Sequence, residues 1–378
     1  MPAAYATRPA TLSPPYVSLH VETDQERRLM EPVSLPANQP RQFYLGGAEI
    51  EAFRGAAGTP ASPSERAPED WIASTVSKHG DSSVGGGATT LPDGRLLRDA
   101  VIADPLEYFG PAHVERFGAN PALLVKLLDA GERLPVHCHP DRTFAGAHLA
   151  SPFGKTEAWI IIGTPGPDPH VYLGFNRDVE ASELSEWFET QDSAEILSAM
   201  NRVPVGTGDA IFVPAGTPHA VGAGVFIAEL QEPTDFSVML EWRDFGLADR
   251  HDGQLGMSAA LSLECFNRKQ MTDADLARYV RKAQPNSGGT ARLFPDEADP
   301  FFQAEEIVVT DSIELSPQYA VLIVVGGTGS LTTAQSEMAL TRGSTVLIPY
   351  SAGATQLHAA AHEPLRAIRC LSGNASRD

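Results

Sequence analysis

The sequence predicts a mainly β protein with helical insertions, arranged as two jelly-roll β-barrels plus a helical segment. Short apolar runs recur between turn signals in both halves, among them Ala210 to Val213, Val225 to Leu230, Tyr319 to Val325 and Ser344 to Pro349. Gly208 to His219 (GDAIFVPAGTPH) and Gly343 to Gly353 (GSTVLIPYSAG) repeat one pattern of glycine, apolar strand and proline turn. That pattern implies two related barrels, of which only the first carries a histidine in its turn. Between them, Ala181 to Met200 and about Met257 to Ala283 show apolar residues at helical spacing.

In chain order, the first 39 residues are rich in Pro, Ala and Thr and carry one alternating stretch, Tyr16 to Glu22, which reads as an edge strand on an arm. Residues 55–67 (GAAGTPASPSERA), Gly85 to Gly87 and Pro92 to Gly94 are loop material. Short helices are expected from Leu97 to Leu106 and from Ala112 to Phe117, and strands begin at Pro121 to Leu128. Ala181 to Met200 places Leu184, Trp187, Phe188 and Ile196 on one helical face, so it forms one helix or a pair. Thr272 to Asp275 (TDAD) supplies an N-cap to the second helical stretch. After the Gln284 to Thr290 linker, strands are expected at Ile307 to Leu315, Tyr319 to Val325, Gly329 to Thr333 and Ser344 to Pro349.

Composition narrows the partners. With 378 residues the chain holds two or three packed units, and 42% hydrophobic content is ordinary for a globular protein. A net charge of -20 argues against nucleic acid or an anionic membrane as partner. Cys138, Cys265 and Cys370 are scattered without a Cys-x-x-Cys pair, which fits a reducing compartment. No apolar stretch approaches a membrane span and no basic-then-apolar leader opens the chain, so a soluble cytoplasmic protein is expected.

The chemistry concentrates in Leu134 to Glu157 (LPVHCHPDRTFAGAHLASPFGKTE) and Pro214 to His219 (PAGTPH). His137 and His139 sit two apart in an apparent strand, so their imidazoles share a face and Cys138 points to the other, where it packs. Glu157 opens the apolar run Ala158 to Ile162, so its carboxylate is either paired or at a cavity edge. His219 closes a proline-framed turn. Three histidines and a glutamate suit zinc, and also other first-row divalent metals. Each histidine taken singly reads more simply as a hydrogen-bonded structural residue, the reading given to His148, His170, His251 and His358.

At these residues the chain resembles the type I phosphomannose isomerases (mannose-6-phosphate isomerases), zinc enzymes of the cupin superfamily. The resemblance runs from Leu45 to Gly47 and Glu69 to Trp71 through Leu124 to Asp129 and the metal segment to Glu229 to Asp235. Its most specific pieces are His137 to Asp141, Gly154 to Glu157 and Val213 to His219. It implies a metal site of His137, His139, Glu157 and His219, and active-site roles for Lys155, Glu229 and Asp235. It also implies a cupin architecture: an arm at 1–40, a metal-binding barrel with inserted helices at 41–245, a helical segment and linker at 246–290, and a second barrel without metal at 291–378.

The implied activity is aldose–ketose isomerisation through an enediolate, on mannose 6-phosphate or a related hexose. A small sugar or sugar phosphate is then the partner. Three positions depart from the family. His137 stands where it usually has Gln, Pro135 where it has Ser, and Met239 where it has Arg, with Arg243 four residues later as the nearest replacement. These departures leave three other readings open: an isomerase of a non-phosphorylated sugar, a different metal-dependent cupin enzyme, or a non-catalytic sugar-binding cupin. The long separation of His139 from Glu157 disfavours a cupin dioxygenase or decarboxylase.

Overall fold

The structure is a computed structural model that describes residues 29–58, 66–78, 86–247 and 249–374. The strand expected at Tyr16 to Glu22 lies outside the described residues. The expected pair of closed jelly-roll barrels is not what forms. Among the described residues the strands fall into four open sheets, each with free edges, and short helices fill the connections, so the architecture is mixed α and β. Turn spacing reports strand length and number; whether a sheet closes depends on shear and tilt, which periodicity does not encode.

The first sheet has six antiparallel strands in the order Val280–Arg281, Ala210–Val213, Glu157–Gly163, Val225–Gln231, Leu124–Ala130 and Glu69–Ile72. A five-stranded sheet lies against it, ordered Val238–Met239, His137–Cys138, His219–Val221, His170–Phe175 and Met200–Pro204. Leu128, Trp159, Ile161, Ile211 and Ile227 of the first meet Val171, Leu173 and Val221 of the second in one buried cluster.

The opposite face of the six-stranded sheet packs through Val125, Leu127, Ile160 and Phe212 onto Phe302, Val321, Ile323, Leu347 and Ile368 of another six-stranded sheet. That third sheet runs Val33–Ser34, Thr345–Ile348, Ala320–Gly326, Leu365–Ser372, Phe302–Val309 and Gly289–Arg292. Its outer face carries a four-stranded sheet, Ser312–Leu315, Thr355–Ala359, Thr328–Thr332 and Glu337–Thr341, closed over Ile307, Leu322, Val346, Leu331 and Leu357. Both central sheets are thus covered on two faces. This is why Leu124–Ala130 and Thr345–Ile348 are buried at every residue instead of alternating.

The helices partly follow the expected spacing. Ala181 to Met200 gives a pair, Ala181–Thr190 and Ser193–Ser198, broken where Gln191 turns left-handed at φ 61° and Asp192 accepts from the Glu195 amide at 3.0 Å. The stretch from Met257 to Ala283 breaks into Ala259–Ser262, a 3-10 turn at Leu263–Cys265 and Asp273–Tyr279, the last opened by a Thr272/Asp275 capping box. Between them the backbone is taken by other partners: Asn267 N donates to Gly216 O, and Arg268 O accepts from Val179 N. Such long-range bonds override helical periodicity.

Candidate metal centre

Strand pairing, two backbone hydrogen bonds and the Glu232 carboxylate assemble the centre. His137 lies directly opposite His219 in the five-stranded sheet, and Glu157 starts a strand of the six-stranded sheet across from them. The Pro214 to His219 turn is tied to the first ligand segment by Gly216 N donating to His139 O at 2.7 Å, with Gly216 at φ +81°, a conformation that favours glycine. Lys155 N donates to Pro140 O at 2.9 Å, and a Cβ at Gly154 would sit 2.5 Å from that same oxygen. Glycine is therefore what lets the Gly154 to Glu157 segment approach the histidines. Glu232 fixes that segment from behind, accepting from Thr156 N at 2.9 Å and from Arg142 Nε at 2.6 Å.

The donor set fits a metal cation on evidence internal to the site. His137, His139 and His219 are buried, with one ring nitrogen from each within 4.8 Å of the others. Each Nδ1 donates to a carbonyl: Pro135 O at 2.7 Å, Phe236 O at 2.7 Å and Thr217 O at 2.8 Å. A carbonyl only accepts, so the proton resides on Nδ1 and the Nε2 lone pair is left bare. His139 Nε2 lies 3.0 Å from Glu157 Oε2 and His219 Nε2 lies 3.2 Å from Glu157 Oε1. These are acceptors facing acceptors, and His139 Nε2, His219 Nε2 and Glu157 Oε2 are buried without a hydrogen-bond partner. A divalent cation satisfies all of them at once, and the carbonyls at Nδ1 are the outer partners such ligands require.

Protonation leanings agree. Burial and Lys155 lower the His139 imidazole to about 3, and burial with the neighbouring histidines holds His137 well below 6.5.

Beside this cluster is a second set of charges. Lys155 Nζ is 3.8 Å from Glu157 Oε2 and donates to Ser237 Oγ at 3.4 Å. Lys126, only 2% exposed, reaches Glu69 at 3.3 Å, Glu229 at 3.6 Å and Asp235 at 3.9 Å, and lies 4.7 Å from the Trp71 ring centroid. Burial works against its charge, yet the three acids hold the ammonium above its ordinary value. Burial and Glu157 push the Glu229 carboxyl up to about 8 against the pull of Lys126 and Lys155. Burial also opposes ionisation of Glu69, but Lys126 and hydrogen bonds from Tyr44 and Trp71 bring it below 4.5.

All seven residues singled out in the sequence are close together: His137, Lys155, Glu157, His219, Glu229 and Asp235 line one cavity of about 150 Å³, and His139 lies beneath it against Glu157. Pro135 and Met239 line it too, with Met239 paired opposite His137. Arg243 does not come in: its guanidinium donates to Thr190 O and Glu189 O and lies over Trp242. Sequence reasoning passed over Lys126, Glu69 and Tyr44. The available signal was a lysine amid Leu124 to Leu128, since a cation in a fully apolar strand requires a buried acid as partner.

No family model matches the chain. A mannose-6-phosphate isomerase of Streptococcus mutans is 29% identical over 254 residues, covering 65% of this chain and 75% of that protein. A mannose-6-phosphate isomerase of Bacillus subtilis is 27% identical over 301 residues, 78% of this chain and 87% of that protein. The chain is homologous to the mannose-6-phosphate isomerases. Solved mannose-6-phosphate isomerases share the fold: the Bacillus subtilis enzyme has a TM-score of 0.70 at 21% identity, covering 90% of this chain and 99% of that one. The apo enzyme of Salmonella typhimurium has 0.64 at 16%, covering 90% and 99%. The resemblance to the mannose-6-phosphate isomerases read in the sequence is thus borne out.

Proposed function

We propose that this chain is a metal-dependent aldose–ketose isomerase of the mannose-6-phosphate isomerase type, interconverting mannose 6-phosphate or a related hexose with its ketose. The observation that carries the reading is the set of bare Nε2 lone pairs facing the Glu157 carboxylate with no proton between them. Homology to enzymes of that name supports it.

In this reading His137, His139, His219 and Glu157 hold the cation, with zinc as the expected metal. Bound there, it supplies Lewis acidity to the oxygens of the sugar's reacting end. The remaining steps belong to the protein. Isomerisation removes a proton from the carbon beside the carbonyl and returns it to the neighbouring carbon, so it requires a group that both accepts and donates near neutral pH. Glu229, raised to about 8, has that property, and the divalent charge close by draws it lower when the site is filled. Lys155 offers a cation to the oxygen on which charge develops. Asp235 and Glu69 hold Lys126 so that its charge faces Glu229.

The test is turnover by zinc-loaded protein on mannose 6-phosphate and free mannose in parallel, following the ketose, with His139→Ala as control. Ketose formation that requires His139 supports the proposal. Silence on both sugars with metal bound would refute it.

A further inference from the structure

The chemistry above accounts for the reacting end of a sugar and leaves open what holds its far end. Among the described residues lining the cavity, the cations are Lys78, Lys126 and Lys155. Two are spent: Lys126 is 2% exposed among three carboxylates, and Lys155 is 5% exposed beside Glu157. Lys78 differs on both counts. It is half-buried, and its Nζ donates to the backbone carbonyl of Arg41, with no ion pair among the described residues. By exposure it stands farther out than the other two, on the solvent side of the cavity. Met239, paired opposite His137, is clamped by Gly253: its N donates to Gly253 O at 2.9 Å, and a Cβ at Gly253 would sit 2.5 Å from Met239 Cγ. That wall, which also carries the Asp252 carboxylate, therefore offers a thioether and no cation. A neutral hexose needs no cation at this place, whereas a sugar bearing a terminal dianion does, and it must not compete for the buried lysines that hold Glu229 and Glu157.

We infer that Lys78 is the anchor for the substrate's terminal phosphate, setting specificity at the outer end of the cavity without touching the reacting atoms. This rests on the isomerase reading above. A lysine serves the task as a point charge on a flexible stem, trading the bidentate geometry of a guanidinium for reach.

The experiment compares wild type, Lys78→Met and Lys78→Arg as full-length zinc-loaded protein. Turnover is measured on mannose 6-phosphate and mannose, and equilibrium binding on sorbitol 6-phosphate and sorbitol, which have no carbonyl to react. For Lys78→Met we expect KM for mannose 6-phosphate and Kd for sorbitol 6-phosphate to rise roughly ten- to a hundredfold, as befits one charge-assisted contact. The kcat should stay within about threefold, and the unphosphorylated sugars should be unaffected. Lys78→Arg should recover most of the loss. Equal losses on phosphorylated and free sugars, or no loss on either, would overturn the anchor. Wild type that turns over mannose but not mannose 6-phosphate would also overturn it while leaving the isomerase standing. Wild type that turns over neither, yet binds sorbitol 6-phosphate through Lys78, would remove the isomerase reading and leave the anchor.

Discussion

The two halves of this protein share one frame and part at the residues that face inward. In each, the central sheet places the strand before the proline turn beside the strand that enters it: Glu157 pairs with Val213 just before Pro214, and Ala320 pairs with Ile348 just before Pro349. The strands that follow take the same order in both sheets. At matched positions Glu157 becomes Ala320, and His219 opposite His137 becomes Thr355 opposite Leu315. The pair Lys126 and Glu229 becomes Glu305 and Arg369, with the charges exchanged. Glu305 is 30% exposed in its side chain where Lys126 is 2%. The frame by itself therefore does no chemistry. A buried acid, two imidazoles facing across a strand pair and a desolvated lysine distinguish a reactive interior from a packed one.

Replacement across the two halves breaks or sharpens this comparison. The largest effect is expected from His139→Ala, which should lose bound zinc and lower turnover by on the order of 10³-fold or more. His358→Ala, in the other half, should alter neither; metal analysis and initial rates check both. Next come buried charges in the metal-free protein. Lys126→Met leaves Glu69, Glu229 and Asp235 without their cation and should cost ~3–5 kcal/mol in urea unfolding. Arg369→Met leaves one carboxylate, the 30%-exposed Glu305, and the Ser316 carbonyl, and should cost nearer ~1 kcal/mol. Equal costs would erase the distinction drawn between the interiors.

Metal linkage is smaller. Zinc at a hundredfold excess over its Kd should stabilise wild type by ~2.7 kcal/mol and leave His139→Ala unmoved, read by thermal unfolding. The smallest effect is on acid stability. The Glu69 carboxyl is lowered from 4.5 in the fold, so its contribution is fully present above that pH and is lost as pH falls through its folded value. Glu69→Gln should make the acid limb of the metal-free protein shallower below about pH 4.5, and an unchanged limb would show that Lys126 does not depend on it.

The site was more legible in the sequence than the architecture. His137 and His139 announce a shared face through strand alternation alone, and the turn ending in His219 names its own geometry through Pro214, Gly216 and Pro218. The strands flanking Pro214 and Pro349 were legible for the same local reason. Closure into barrels was not, because it depends on how sheets stack, and here two central sheets pack back to back through Ile160 and Ile323 and stay open. The run Ile307 to Leu315 also splits, into Phe302–Val309 and Ser312–Leu315, which belong to different sheets. Nor could periodicity foretell that Val33–Ser34 would join the strand Thr345–Ile348 some 300 residues away. Lys126 lay in plain view, but its three partners come from Glu69, Glu229 and Asp235, brought near only by folding.

The central claim is that one metal, held in the first half alone, makes this chain an isomerase. The most direct test measures zinc content and mannose 6-phosphate turnover on the same sample before chelation, after chelation and after zinc is restored. The account predicts one zinc per chain, ketose formation that vanishes with the metal, and recovery of both together. Turnover that persists after the metal is gone, or one bound zinc with no turnover of mannose 6-phosphate or mannose, would contradict it.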